Sequence, residues 1–219
     1  MAFEGFSKET GAFLWDLSFN NERPWFEAHR ETWERVLNRP FRALAAETLA
    51  LADARWPERG FQVHVSRIYR DARRLFGRGP YKDHLWFILY VGGKHDPTPA
   101  FWFELGPAKY SYGLGFWDAP PAVMEAFRRR IDAESARFER IVDELGAGWK
   151  LWGAPYKRPK GERGEKLNPW YNRRSLSVGL EKDLGGEAFL PELPRVLVDC
   201  YGRLLPLFDF LWAAYRDGT

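Results

Sequence analysis

F-Q-V-H-V-S-R-I-Y-R-D, residues 61–71, is where the chain turns from helix to strand. Phe61, Val63 and Val65 alternate with Gln62, His64 and Ser66, the two-residue period of a strand with one buried face. Upstream, the apolar spacing is helical. Ser7 is placed to cap a first helix whose inner face holds Phe13, Leu14 and Leu17. Asn20 and Asn21 end it. Pro24 suits the first turn of a second helix, where Trp25, His29 and Trp33 share one stripe. Asn38-Arg39-Pro40 reads as a break before a third helix carrying Phe41, Leu44, Thr48 and Leu51.

Downstream, residues 85–91, 100–105 and 110–116 read as strands separated by Gly and Pro turns. They are too close in sequence for parallel crossovers, so antiparallel pairing is expected. Pro120-Pro121 opens a long amphipathic helix to Leu145. Met124, Phe127, Ile131, Phe138, Val142 and Leu145 face inward, and Arg128, Arg129, Asp132, Glu139 and Arg140 face outward. Residues 146–168 read as a long surface loop and residues 175–180 as one more strand. A helix over 194–215, interrupted at Gly202 and Pro206, closes the chain. The expectation is a single α+β domain over residues 1–219. N-terminal helices and the long amphipathic helix pack on a mostly antiparallel sheet.

The chain has 219 residues, 17% of them aromatic, and a formal net charge of +3. That small excess is local. Residues 67–82 and 157–174 each carry +5, so the remainder, at −7, is acidic. A broad nucleic-acid track would spread its basic balance over the domain, so a local anion is the better partner and nucleic acid the lesser one. The lone Cys200 excludes an intramolecular disulfide and fits a reducing compartment. The N-terminus carries no signal-peptide pattern, and no apolar run approaches a membrane span. A cytoplasmic protein without a membrane partner is expected. Its oligomeric state is open.

Continuing the strand phase places Arg67 and Tyr69 on the inward face with Val63 and Val65, and Arg70 on the other. An inward guanidinium needs a carboxylate or a polar pocket, because an unpaired buried charge is strongly unfavourable. Asp71 and Glu104 are the candidate carboxylates, and a structural ion-pair network stands level with a ligand site. Arg73, Arg74, Arg78 and Lys82 follow among Gly77, Gly79 and Pro80. Glycines admit close backbone approach, and arginine forks match phosphate or carboxylate oxygens. The candidate ligand-binding residues are therefore Arg67, Arg70, Arg73, Tyr81 and Lys82. Asp71 is the candidate catalytic residue.

Other chemistries lack their signatures. There is no Walker loop, dinucleotide fingerprint or G-x-S-x-G, so no cofactor is implied. Gly113-Leu-Gly115 is read as easing a strand bend. His29, His64, His84 and His95 form no pair at helical spacing, and no metal site is assigned. His29 reads as a packed histidine bonded to a carbonyl. Asp83 and His84, adjacent on a strand, would point to opposite faces. Cys200 reads as a buried, inert thiol. The second basic segment interleaves Lys157, Arg158 and Lys160 with Trp149, Trp152, Tyr156, Trp170 and Tyr171. Such a mixture stacks bases, or is a loop strapped down by its aromatics, and the strap is the preferred reading.

The chain resembles the conserved hypothetical family called domain of unknown function 2461. The resemblance rests on F-L-W-D-L-S-F-N-N-E-R-P-W-F-E-A-H-R at 13–30, R-I-Y-R-D at 67–71 and P-Y-K at 80–82. It continues in G-L-G-F-W-D-A-P-P at 113–121, Arg128-Arg129-Arg130-Ile131 and K-R-P-K-G at 157–161. Where the family usually has R-F-S-x-[DN]-K before P-Y-K, this chain has A-R-R-L-F-G-R-G at 72–79. W-Y-N-R-R-S at 170–175 matches the family's leucine-and-lysine segment only loosely. The resemblance implies one domain and transfers no activity. The leading expectation is a binder of a small phosphate- or carboxylate-bearing ligand. The alternatives are an enzyme on a phosphate-bearing substrate, with Asp71 as base or metal ligand, and an interaction module using residues 149–171.

Overall fold

The first element is helix α1 (Lys8–Phe19), followed by short helices α2 (Arg23–Ala28) and α3 (Arg30–Trp33). This computed structural model describes residues 2–71, 73, 75, 77–93 and 96–219. Arg74 and His95, both singled out in the sequence, lie outside the described residues. The Ser7 amide donates to Thr10 Oγ1 (3.1 Å), and the Thr10 hydroxyl donates to Val36 O (2.8 Å). The head of α1 is thereby fixed to the chain that follows α3.

The break expected at residues 38–40 is instead a π-helical turn, Glu34–Asn38, running directly into α4 (Arg39–Arg55). The Arg39 amide bonds Glu34 O, five residues back, and Pro40 falls in the first turn of α4, where its missing N–H is tolerated.

Strands β1 (Gln62–Val65), β2 (Leu85–Tyr90), β3 (Ala100–Leu105) and β4 (Lys109–Gly115) come next. Then follow α5 (Pro121–Ala133), α6 (Ser135–Leu145), β5 (Lys150–Trp152), α7 (Gly164–Tyr171), β6 (Ser177–Asp183) and α8 (Leu193–Gly218). The strands form one six-stranded antiparallel sheet in the order β1-β2-β3-β4-β6-β5, so the chain has the expected α+β architecture.

Two compact units divide the chain. The first comprises Met1–Leu89, Phe103–Tyr112 and Glu181–Val198; the second comprises Tyr90–Trp102, Gly113–Leu180 and Asp199–Thr219. In the first, Phe41 of α4 meets Phe87 (5.8 Å between ring centroids) and Phe103 (5.9 Å), and Phe6 stacks on Phe103. All four rings are buried, and their edge and stacked contacts add to the area they remove from water. In the second, Phe127, Phe138 and Phe210 form one cluster, and Phe101 stacks on Tyr201 and Phe208.

Several expectations are corrected in the second unit. The long helix is two, α5 and α6, divided at Glu134, whose amide still closes α5 on Arg130 O. Arg128 is not on the outward face; it is buried. The loop at 146–168 contains β5, paired with β6 from Lys150↔Gly179 to Trp152↔Ser177, and the start of α7. The C-terminal helix is continuous through Gly202 and Pro206. These lie four apart, so Pro206 lacks the amide that would bond Gly202 O, and the pair makes one local gap rather than two ends. Gly113 serves close approach: a Cβ there would stand 2.1 Å from Val178 O on the neighbouring β6.

Candidate functional site

Beyond β1 the chain keeps pairing with the segment before β2, but irregularly. Ser66 N donates to Trp86 O (2.8 Å), and Trp86 N donates to the Ser66 hydroxyl oxygen (3.0 Å). Further out, Lys82 N bonds Ile68 O and Arg70 N bonds Pro80 O, each at 2.7 Å, around an antiparallel bridge between Tyr69 and Tyr81. The result is a narrow ribbon that pairs residues 66–70 with residues 80–86.

The doubled use of Ser66 shifts the side-chain alternation by one residue, as a bulge does. Phe61 is buried on the odd phase, whereas Ser66 and Ile68 are buried on the even phase. Arg67 and Tyr69 are consequently exposed, not inward as the uninterrupted strand phase requires.

Asn21, from the turn after α1, clamps this ribbon. Tyr81 N donates to Asn21 Oδ1 and Asn21 Nδ2 donates to Tyr81 O, both at 2.9 Å. Gly79 passes so near that a Cβ would lie 2.2 Å from Asn21 O. The Tyr81 ring, 1% exposed, stacks on Phe26 at 4.1 Å and touches Tyr69 at 5.3 Å. Burial pushes its hydroxyl above the ordinary tyrosine range. Tyr81 is thus a core ring whose backbone carbonyl faces the site.

That carbonyl also receives Arg70 Nε (2.7 Å), while Arg70 Nη2 reaches Asp83 Oδ1 (3.3 Å). The Arg70 side chain is only 13% exposed. His84 Nδ1–H donates to the same Asp83 oxygen (2.9 Å), so Asp83 and His84 meet rather than diverge. Both precede β2, and strand alternation does not apply to them. Partial burial raises the Asp83 carboxyl, but the His84 hydrogen bond, with Arg70 nearby, brings it below the ordinary range.

Lys82 Nζ donates to Arg67 O (2.7 Å) and lies 5.7 Å from the centre of the Trp86 ring. Burial, then Arg67 and Arg70, hold its ammonium below the usual lysine range. Arg67 and Lys82 make no ion pair with a carboxylate among the described residues, and Glu104 partners neither. Arg73 is different. It is 88% exposed, and its Nε and Nη2 take both oxygens of Asp71 (3.0 and 2.7 Å). Its backbone N–H also donates to Asp71 Oδ1, closing an Asx turn. Asp71 thus forms the turn that holds the Arg73 guanidinium. The described residues contain no cluster of three or more His, Cys, Asp or Glu side chains able to hold a metal.

The structure therefore gathers Arg67, Arg70 and Lys82, turns Tyr81 inward and gives Arg73 to Asp71. Asn21 stands outside the candidate ligand-binding residues, although it lies in the 13–30 motif, and its two bonds to Tyr81 bring it to the ribbon. Asp83, with Asp71 and Glu104 one of the acids nearest the arginine cluster in the sequence, is the one that meets Arg70. A separate cleft of about 480 Å³ in this unit is lined by Ser7, Thr10, Arg35 and Arg39 among others. Its arginines already face Glu9 (2.7 Å) and Glu34 (3.9 Å), so it offers an anion less.

The second basic segment forms a strap in the second unit. Lys160 N and Arg163 N donate to the side-chain oxygens of Asn172 (2.7 Å) and Asn168 (2.8 Å). A bridge joins Pro155 to Arg173. Arg163 Nε bonds Asp132 of α5 at 2.5 Å, and the Tyr171 hydroxyl donates to the other Asp132 oxygen at 3.0 Å. The Arg163 hydrogen bond, joined by Tyr171, holds the Asp132 carboxyl below its ordinary range. His29 is also settled structurally: it stacks on Trp25 at 4.0 Å, and Nδ1–H donates to the Trp25 carbonyl at 2.8 Å.

The chain belongs to the family described as Conserved hypothetical protein (DUF2461), whose sequence profile matches residues 9–210. No curated protein gives a significant match. Among the described residues, no helix is long and apolar enough to cross a membrane.

Proposed function

We propose that the protein binds a small phosphate- or carboxylate-bearing ligand between Arg67, Arg70 and Lys82. One observation carries the reading: the Lys82 ammonium is crowded by burial and by two guanidiniums, and its charge has no carboxylate partner among the described residues. An oxyanion there replaces repulsion with charge-assisted hydrogen bonds. Asp83 shares Arg70 with the backbone, leaving the outer side of Arg67 and Lys82 for the ligand. Arg73, already paired with Asp71, stands at the rim.

The test is thermal unfolding with increasing inorganic phosphate or citrate, against chloride at matched ionic strength. A ligand that binds only the folded state stabilises it by about 2.7 kcal/mol at 100 times Kd. Arg67→Met and Lys82→Gln should remove the part of that response that this site supplies. Binding should also take up a proton at alkaline pH, because the ligand raises a lysine pKa that the free protein depresses. Affinity is then full below the free-state Lys82 pKa and lost as pH rises through the bound-state value. A phosphate response unchanged in Arg67→Met, together with a more stable free protein, sinks the proposal.

A further inference from the structure

Arg128 is the least explained charge in the second unit. It lies on α5, is 9% exposed, and its Nη1 is buried without a hydrogen-bond partner among the described residues. The natural carboxylate for it is Asp132, one turn further along the same helix. Both Asp132 oxygens are already taken, one by Arg163 and one by the Tyr171 hydroxyl. No other ion pair of Arg128 exists among the described residues. What its guanidinium does face is the Tyr156 ring, 5.3 Å from the centroid. The Lys160 ammonium sits 4.8 Å from the centroid of that same ring. Two cations thus stand against one aromatic ring.

Neither observation suits a purely structural role. A buried guanidinium with an unsatisfied N–H is costly, and bringing a second cation to the same ring adds repulsion. A ring face favours one cation but cannot supply the missing in-plane acceptor. The strap bearing Tyr156 and Lys160 is nonetheless held firmly in place. Tyr156 N bonds Asn172 O (2.9 Å), Lys160 N bonds Asn172 Oδ1, and Asn172 Nδ2 bonds Gly161 O (3.0 Å). The chain accordingly brings two cations to one ring, and among the described residues neither makes an ion pair, although the Asp132 carboxylate is near enough to feel Arg128.

We infer that Arg128, Lys160 and the Tyr156 ring form a second oxyanion site, which takes a tetrahedral phosphate group carried by a small molecule. The buried Arg128 Nη1 donates to one oxygen. The exposed Lys160 closes from the strap side, and the ring fixes both cations. The site lies wholly within the second unit and is independent of the Arg67–Lys82 proposal.

The experiment is calorimetric titration of the full chain with inorganic phosphate and with pyrophosphate, alongside thermal unfolding. It uses wild type, Arg128→Met, Lys160→Gln, and the double variant Arg67→Met/Lys82→Gln. The double variant should retain one phosphate site. Arg128→Met should lose that site and melt higher than wild type without ligand, since it removes a buried unsatisfied charge. Lys160→Gln, altering an exposed side chain, should leave the ligand-free melting temperature alone and weaken phosphate binding roughly tenfold. Should Arg128→Met fail to fold, Lys160→Gln in the double background decides alone. The inference is overturned if Arg128→Met melts lower and the phosphate response of the double variant survives it. Unchanged phosphate affinity in Lys160→Gln also overturns it, as does binding of a single-stranded oligonucleotide in place of phosphate with steep salt dependence.

Discussion

Replacing Asn21 with alanine should loosen the whole ribbon that carries Arg70 and Lys82. Asn21 makes two 2.9 Å hydrogen bonds to Tyr81, one to its amide and one from its own Nδ2 to the carbonyl. The two losses are unequal. The Tyr81 carbonyl still accepts Arg70 Nε at 2.7 Å, whereas its amide has no replacement beside a ring that is 1% exposed. Two neutral hydrogen bonds with one group left unsatisfied cost about 2 kcal/mol. For a chain of this size that lowers Tm by roughly 4–8 °C. Urea denaturation should show the midpoint falling at constant slope, because the surface exposed on unfolding barely changes. Hydrogen exchange supplies the local readout: the Tyr81 amide should exchange faster in the folded variant, with amides in β3 following only the global loss. An unchanged Tyr81 exchange rate beside an unchanged midpoint would refute the clamp.

Gly79→Ala should damage the same clamp from the other side, since its Cβ would stand 2.2 Å from Asn21 O and 2.3 Å from Asn21 Oδ1; denaturation should find it at least as destabilised as Asn21→Ala. Arg73→Ala should leave Tm unchanged, because the Arg73–Asp71 pair sits in solvent and an exposed pair contributes little. Asp132→Asn should flatten the acid limb of the stability curve. Arg163 and Tyr171 depress the Asp132 carboxyl, so its contribution is present above the ordinary carboxylate range near pH 4 and lost as pH falls through the lowered value. Denaturant midpoints measured from pH 6 down to pH 2 check this, and parallel curves for variant and wild type would contradict it.

The fold was legible wherever one local rule governed. Strand β3 begins and ends at residues 100 and 105, as its apolar run bounded by Pro99 and Gly106 requires. The breaks were less legible, for physical reasons. Glu134 divides α5 from α6 without disturbing the apolar period, so Phe127, Ile131 and Phe138 stay inward and the pattern gives no warning. Pro40 signals the end of a helix, but the Arg39 to Glu34 bond makes a wider turn that carries the helix past it. Arg128 reads as outward because its own helix leaves it at the edge of the apolar stripe. Its burial comes with Tyr156, 28 positions further along, and no periodicity in α5 encodes that ring.

Charge density was the visible part of the candidate site, and the allocation of carboxylates was the hidden part. Asp71 lies two residues before Arg73, the spacing of the Asx turn that joins them. Asp83 reaches Arg70 because the segments on either side, 66–70 and 80–86, pair with the Ser66 shift between them. The same shift that exposes Arg67 also removes the need for an internal partner, which the regular strand phase demanded. Exposure alone would make Arg67 an ordinary solvated cation. Its backbone oxygen, however, holds Lys82 Nζ, and that ammonium is kept close to two guanidiniums with part of its water removed. Repulsion retained at such a point is a cost the fold could shed by turning Lys82 into solvent. The 2.7 Å bond to Arg67 O prevents this, and an oxyanion is the group that would turn the arrangement from costly to favourable.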